Sequence, residues 1–204
     1  LPKDWRKQQS RDQYFRKAKR EGYRARSAYK LLEIHQKFHL IKPGMTILDL
    51  GAAPGSWSQV ASSLTGKTGR VVAVDLQPLD LLPGVHAIQG DITQVDCMER
   101  IASMLPDGAD VVISDVAPQA SGISLVDHAR SIELAEASLQ IALRVLRKGG
   151  AFVVKVFQGE DFDRFVAQVR QHFQTVRVFR PQASRRESGE HFVICLGLID
   201  ITPL

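Results

Sequence analysis

Cysteine is almost missing from this chain: Cys97 and Cys195 are the only two among 204 residues. Two thiols cannot build the disulfide framework of a small secreted domain or a four-cysteine zinc site, so the sequence points to a reducing, cytoplasmic setting. Long apolar runs are missing as well, none reaching the roughly 18 residues of a membrane span. The opening residues, Leu1-Pro2-Lys3-Asp4-Trp5, lack the apolar stretch of a secretory signal, and no export is expected. Internal repeats and low-complexity tracts are also absent. Hydrophobic residues nevertheless make up 44% and charged residues 24%, enough apolar material for a packed core. The length fits one α/β domain.

Acidic residues are scarce at one end. Residues 1–37 carry twelve Lys/Arg against four Asp/Glu, a net of +8, which leaves −3 for the other 167 residues. A basic arm on a mildly acidic body suits a polyanion, with nucleic acid ahead of membrane; a solvated helix face is the plainer reading. Tyr14, Phe15, Tyr23 and Tyr29 are interleaved with Arg16, Lys17, Lys19, Arg20, Arg24 and Arg26. That mixture suits phosphate contacts with base stacking, or else aromatic anchors that hold the arm to the body.

Beyond residue 40 short β-branched runs alternate with helical periodicity. Strands are predicted at 45–50, 70–75, 85–89, 110–115, 151–157, 175–179 and 191–198, and helices at 56–64, 94–104, 125–146 and 161–173. A further helix is predicted at 28–38 with Ser27 as its N-cap, and Gly149-Gly150 is expected to stop the long helix. The alternation implies a mainly parallel sheet covered on both faces, with an antiparallel pair at the end.

Ligands of such sheets bind beyond the carboxyl ends of the strands. The first strand runs into Asp49-Leu50-Gly51-Ala52-Ala53-Pro54-Gly55-Ser56-Trp57, whose glycines allow close backbone approach. It is not the dinucleotide fingerprint, so a nucleoside-like ligand without phosphates fits better. Asp75 ends the second strand, twenty residues beyond Gly55, where a carboxylate can bind ribose hydroxyls. Asp91 follows the third strand and suits an adenine amino group; Asp115 ends the fourth. Each Asp alone is an ordinary turn residue. Together they suit a ligand carrying a sulfonium and an ammonium, which points to S-adenosylmethionine.

The acceptor follows partly by elimination. Transfer to an exocyclic amine relies on an Asn/Asp-Pro-Pro-aromatic loop, whereas this chain has Asp115-Val116-Ala117-Pro118. Transfer to cytosine carbon needs a cysteine nucleophile, and neither cysteine lies at a strand end. Oxygen remains. Lys155, inside the apolar run 151–157, is the most unusual residue, because lysine is rarely buried without a partner. It either snorkels into water or serves as a general base, which requires a lowered pKa. Desolvation and neighbouring cations would lower that pKa, and carboxylates would raise it. The six histidines have no metal-ligand spacing, and no metal is assigned; the cysteines read as core residues.

Five segments, in order, resemble the RrmJ/FtsJ family of S-adenosylmethionine-dependent ribose 2′-O-methyltransferases, whose bacterial members modify large-subunit ribosomal RNA. They are Arg24-Ala25-Arg26-Ser27-Ala28-Tyr29-Lys30-Leu31, Asp49-Leu50-Gly51-Ala52-Ala53-Pro54-Gly55-Ser56-Trp57-Ser58-Gln59, Ser114-Asp115-Val116-Ala117-Pro118, Val153-Val154-Lys155-Val156-Phe157-Gln158-Gly159 and Ser184-Arg185-Arg186-Glu187-Ser188-Gly189-Glu190. The resemblance implies a single Rossmann-like methyltransferase domain at 41–204, a seven-stranded mostly parallel sheet, and a basic helical RNA-binding extension at 1–40. It implies the catalytic set Lys30, Asp115, Lys155 and Glu190, with Lys155 as the base; Glu187 is a rival for Glu190. It implies cofactor contacts from Gly55, Trp57, Asp75, Asp91 and Asp115. Ser56 departs from the family's second glycine, a change a small side chain should allow. The implied substrate is a uridine of ribosomal RNA within the large subunit, modified by a monomer. Transfer RNA or a messenger RNA cap is the sibling alternative. An assembly factor with incidental methylation, or a small-molecule O-methyltransferase, would be a different class of protein.

Overall fold

In the computed structural model, residues 13–80, 82–118, 124–185 and 188–199 are described. Strands β1 (Thr46–Leu50), β2 (Arg70–Asp75), β3 (Val85–Gln89), β4 (Ala109–Ser114), β5 (Leu146–Phe157), β6 (Phe173–Phe179) and β7 (Glu190–Leu198) form one sheet in the order β3-β2-β1-β4-β5-β7-β6. Only β7 runs against its neighbours: it pairs antiparallel with both β5 and β6, and the remaining pairs are parallel. The expected antiparallel pair is present, but β7 lies inside the sheet and β6 takes the edge.

Helices α1 (Gln13–Glu21), α2 (Ala28–Phe38), α3 (Ser56–Thr65), α4 (Val95–Met104), α5 (Ser124–Val145) and α6 (Phe162–Arg170) complete the described chain. The inner strands are apolar on both faces, as a doubly covered sheet requires. On one face Ile47, Val71, Ile113, Val153 and Phe192 pack against Ala28, Leu31 and Ile34 of α2 and Val60 and Ala61 of α3. On the other, Leu48, Val72, Val112, Phe152 and Val193 meet Ile101, Leu139 and Phe165 of α4, α5 and α6. Each fully buried Leu or Ile here contributes about 1.5–3 kcal/mol. Helix α1 packs on α2 through Ala18 and Tyr29, and Tyr14 and Tyr23 stand 5.5 and 5.7 Å from the Tyr29 ring. Tyr29 in turn packs with Ala183 of the body, so the arm is held through this cluster.

Three local expectations are corrected. Ser27 stands at the expected N-cap position of α2, but with a helical φ/ψ of −62/−18° its side chain caps no amide, and its hydroxyl pairs with that of Ser56 at 2.7 Å instead. Gly149-Gly150 does not stop α5, which ends at Val145. Arg147 draws the chain into β5 instead, its guanidinium donating to Asp107 O and Asp110 Oδ1, both at 2.7 Å, and the β4–β5 register shifts there. Helix α6 ends at Arg170 rather than at 173, because Phe173 is buried in β6 with its ring stacked 6.3 Å from Phe152.

Candidate active site

Strand register brings the site together. Lys155 of β5 pairs with Phe192 of β7, so both side chains project from one face. Glu190, two residues before Phe192, shares that face, which is the one covered by α2. Lys30 descends from α2, and Asp115 begins the loop after β4. Because β7 is reversed, its first residue lies at the rim where β4 and β5 end.

The four side chains form an unbroken line of ion pairs. Lys30 Nζ lies 2.8 and 2.9 Å from the two Glu190 carboxylate oxygens and 3.7 Å from Asp115 Oδ1. Lys155 Nζ donates to the same Asp115 Oδ1 at 2.9 Å and to the Asp115 carbonyl at 2.6 Å. Lys155 and Glu190 are each only 6% exposed. The two positive and two negative charges balance, which such burial demands. Burial alone would push the Asp115 carboxyl up, yet the Lys155 and Lys30 ammoniums hold it below the usual carboxylate range. Burial likewise works against the Lys30 ammonium, but Asp115 and Glu190 outweigh it and raise its pKa. Glu187 lies outside the described residues.

A cavity of about 500 Å³ opens on one side of this line, with Asp75, Asp80, Asp91 and Asp115 in its wall beside Gly51, Pro54 and Leu134. Gly51 is required there: its φ is +72°, and a Cβ would stand 2.7 Å from Val116 Cα. Asp75 accepts Ala53 N–H and Gln77 N–H, both at 2.8 Å, while Asp91 Oδ1 accepts the Thr93 amide and hydroxyl. Each carboxylate retains lone pairs for a ligand. Gly55 and Trp57 stand apart from this wall. Gly55, at φ +106°, leaves room for Arg24, whose Nη1 donates to Pro54 O and Asp80 O. The Trp57 ring is buried against Phe192, and its Nε1 donates to Ser27 O at 2.8 Å. A second cleft, of about 380 Å³, lies on the other side and is lined by Arg26, Ser27, Lys30, Ala183, Arg185, Ser188 and Glu190, among others. Asp115 thus faces the acidic cavity, while Lys30 and Glu190 face the cleft.

The sequence reading passed over Asp49. It is fully buried; Oδ2 accepts the Ser58 hydroxyl at 2.6 Å, and Oδ1 has no partner. Burial, with a smaller push from Asp115 and Asp75, raises its pKa to about 7. Only its place at the buried end of β1, rather than in the glycine loop, could have marked it. Cys97 and Cys195 are free and buried in the core.

Two cavities joined by a lysine–carboxylate line suit group transfer between two substrates, and comparison with known proteins supplies the class. Residues 23–198 match the family model described as FtsJ-like methyltransferase. The chain belongs to that family. It is 56% identical over 184 residues to the ribosomal RNA large subunit methyltransferase E of Methanothrix thermoacetophila, covering 90% of this chain and 71% of that one. With the protein of the same name from Acinetobacter baumannii it shares 49% over 194 residues, 95% of this chain and 90% of the other. A solved structure from Plasmodium falciparum, assigned as a ribosomal RNA methyltransferase, superposes with a TM-score of 0.77 at 29% identity, covering 86% and 98% of the two chains. The chain is accordingly an FtsJ-like methyltransferase, a single α/β domain with a seven-stranded, mostly parallel sheet.

Proposed function

We propose that this methyltransferase acts on the ribose 2′-hydroxyl of a uridine in large-subunit ribosomal RNA, with S-adenosylmethionine as donor. The reading is of a cytoplasmic monomer, with residues 1–40 as its RNA-binding extension and 41–204 as its catalytic domain. The observation that carries it is the buried Glu190–Lys30–Asp115–Lys155 line, which runs from the cleft to the acidic cavity. The names of the relatives favour large-subunit ribosomal RNA over transfer RNA or a messenger RNA cap.

The cavity fits the donor. Its volume is within the usual range for small-ligand sites, and its carboxylates complement a sulfonium and an ammonium. Asp75 would hold the ribose hydroxyls and Asp91 the adenine amino group, with Asp115 near the positive centre. Gly55 and Trp57 would serve through the backbone at the start of α3, where helix amides lack intrahelical acceptors. When bound, S-adenosylmethionine supplies an electrophilic methyl group.

The chain's own residues must position the hydroxyl and take its proton. Lys30 is the fixed cation, because Glu190 and Asp115 keep it protonated; it orients the oxygen from the cleft side. Lys155, after giving up its own proton to solvent, would accept the hydroxyl proton as the oxygen attacks the methyl and the carbon–sulfur bond of the donor breaks, leaving a neutral thioether. The ammonium so formed is held by the two Asp115 oxygens it already contacts. Positioned base catalysis of this kind contributes about 10²–10⁴-fold.

Lys155→Ala is therefore expected to lower kcat by about 10²–10⁴-fold while donor binding, followed by calorimetry, persists. Mapping 2′-O-methylation across RNA from cells with and without the protein would identify the nucleotide. Unchanged turnover in the variant would remove Lys155 from the mechanism. Full rescue of a deletion strain by the inactive variant would favour an assembly role instead.

A further inference from the structure

The cleft has a wall that does not hold itself up. The link between β6 and β7 is described at 180–185 and 188–189, and its Ala183, Arg185 and Ser188 line the cleft together with Lys30 and Glu190. Arg180 gathers the link from within, its Nη2 donating to Arg185 O at 3.2 Å and Ser188 O at 2.7 Å. The grip from outside comes from α2. Glu33 accepts two successive amides, Gln182 N–H at 2.6 Å and Ala183 N–H at 3.0 Å, one on each carboxylate oxygen. Arg26 donates to the Ala183 carbonyl at 2.5 Å, so Ala183 is held from both sides. Its methyl is fully buried beside Ala18 and Tyr29.

Glu33 lies one turn beyond Lys30 on the same helix. The helix that delivers the fixed cation therefore also sets the opposite wall of the cleft. We propose that Glu33 is a positioning residue for the acceptor: by clamping the Gln182 and Ala183 amides it fixes the wall against which the RNA nucleotide is placed. The inference rests on the proposed function, in that this cleft is taken as the RNA side. A wall ordered in advance spares the complex the cost of ordering it on binding. Its loss should therefore appear in the Michaelis constant for RNA more than in turnover.

The sign of the effect separates this role from simple electrostatics. Removing a carboxylate beside a polyanion site should by itself strengthen RNA binding, whereas loss of the clamp weakens it. Glu33→Gln keeps the side chain's shape but replaces one acceptor oxygen with an amide donor facing a backbone N–H. With the full chain and large ribosomal subunits as substrate, KM for RNA is expected to rise about tenfold or more. The donor's dissociation constant should stay unchanged, and kcat per donor-binding site should fall less than KM rises. Donor-binding stoichiometry gives the competent fraction, and KM does not depend on that fraction, so partial misfolding cannot imitate the result. Glu33→Asp keeps the charge while withdrawing the carboxylate by one methylene, and it should raise KM in the same direction. An unchanged or lowered KM in both variants overturns the clamp. Failure of the wild-type chain to methylate large-subunit RNA would instead overturn the proposed function, whatever the Glu33 variants do.

Discussion

Among single residues, Asp49 is the one whose chemistry should appear in stability rather than in turnover. Its pKa is raised from 3.8 to about 7 in the folded chain. Between those values the native state keeps a proton that the unfolded chain has released. Stability should therefore be highest at the acid end of this window, decline as pH rises from about 4 to about 7, and then level off. Asp49→Asn keeps an acceptor for Ser58 and has nothing to ionise. It is expected to flatten this slope and to be more stable than the parent at pH 8, by up to a few kcal/mol. Urea denaturation midpoints of both proteins across the range would test this, and parallel pH profiles would show that Asp49 does not titrate in the window. At the same scale, Lys155 stood out in the sequence because a cation inside an apolar strand demands a partner. Asp49 did not, since an Asp before a glycine loop looks like a turn residue and its burial depends on strands far away in the chain.

At the scale of elements, α2 and α3 are stitched together by the Ser27–Ser56 hydroxyl pair and by the Trp57 indole on the Ser27 carbonyl. Ser27→Ala and Ser56→Ala should each cost about 1 kcal/mol or more, because each leaves the other hydroxyl without its partner. The double variant should cost less than the sum of the two. A double-mutant cycle by urea denaturation measures the coupling, and strict additivity would show that the contact contributes nothing. Ser56, expected only to be tolerated in place of glycine, is an active contact. Most elements were legible from periodicity: β2, β3 and α2 fall on their predicted residues. The failures share one cause. The stop of α5, the end of α6 and the cap of α2 are decided by Arg147, Phe173 and Ser56, whose partners lie in distant segments that local propensity cannot see. The proposed catalytic set was legible because the family motifs carry it; the Glu33 contact was not, since its partners are backbone amides without a sequence signature.

For the whole molecule, the charge division has a measurable effect. Arg16, Lys17, Lys19 and Arg20 of α1 are exposed, while Tyr14 and Tyr23 pack on the Tyr29 ring. On the proposed function, the exposed cations of α1 would meet phosphates, and Tyr14 and Tyr23, packed on Tyr29, would not be free to stack on bases. RNA affinity should fall steeply with salt, and neutralising Arg16, Lys17 and Arg20 together should reduce the log–log slope by about 0.7–0.9 per charge removed. Filter binding over a salt series would measure it; an unaltered slope would place the RNA elsewhere on the surface. The reversed strand has a consequence for biosynthesis. Glu190 enters the site from β7, the last strand among the described residues and 160 positions beyond Lys30, so during synthesis Lys30 must wait for its nearer carboxylate. A chain that stops short of Glu190 keeps Asp75, Asp91 and Asp115 in the cavity wall but lacks the carboxylate of the cleft, which makes the cleft the last part of the site to be completed.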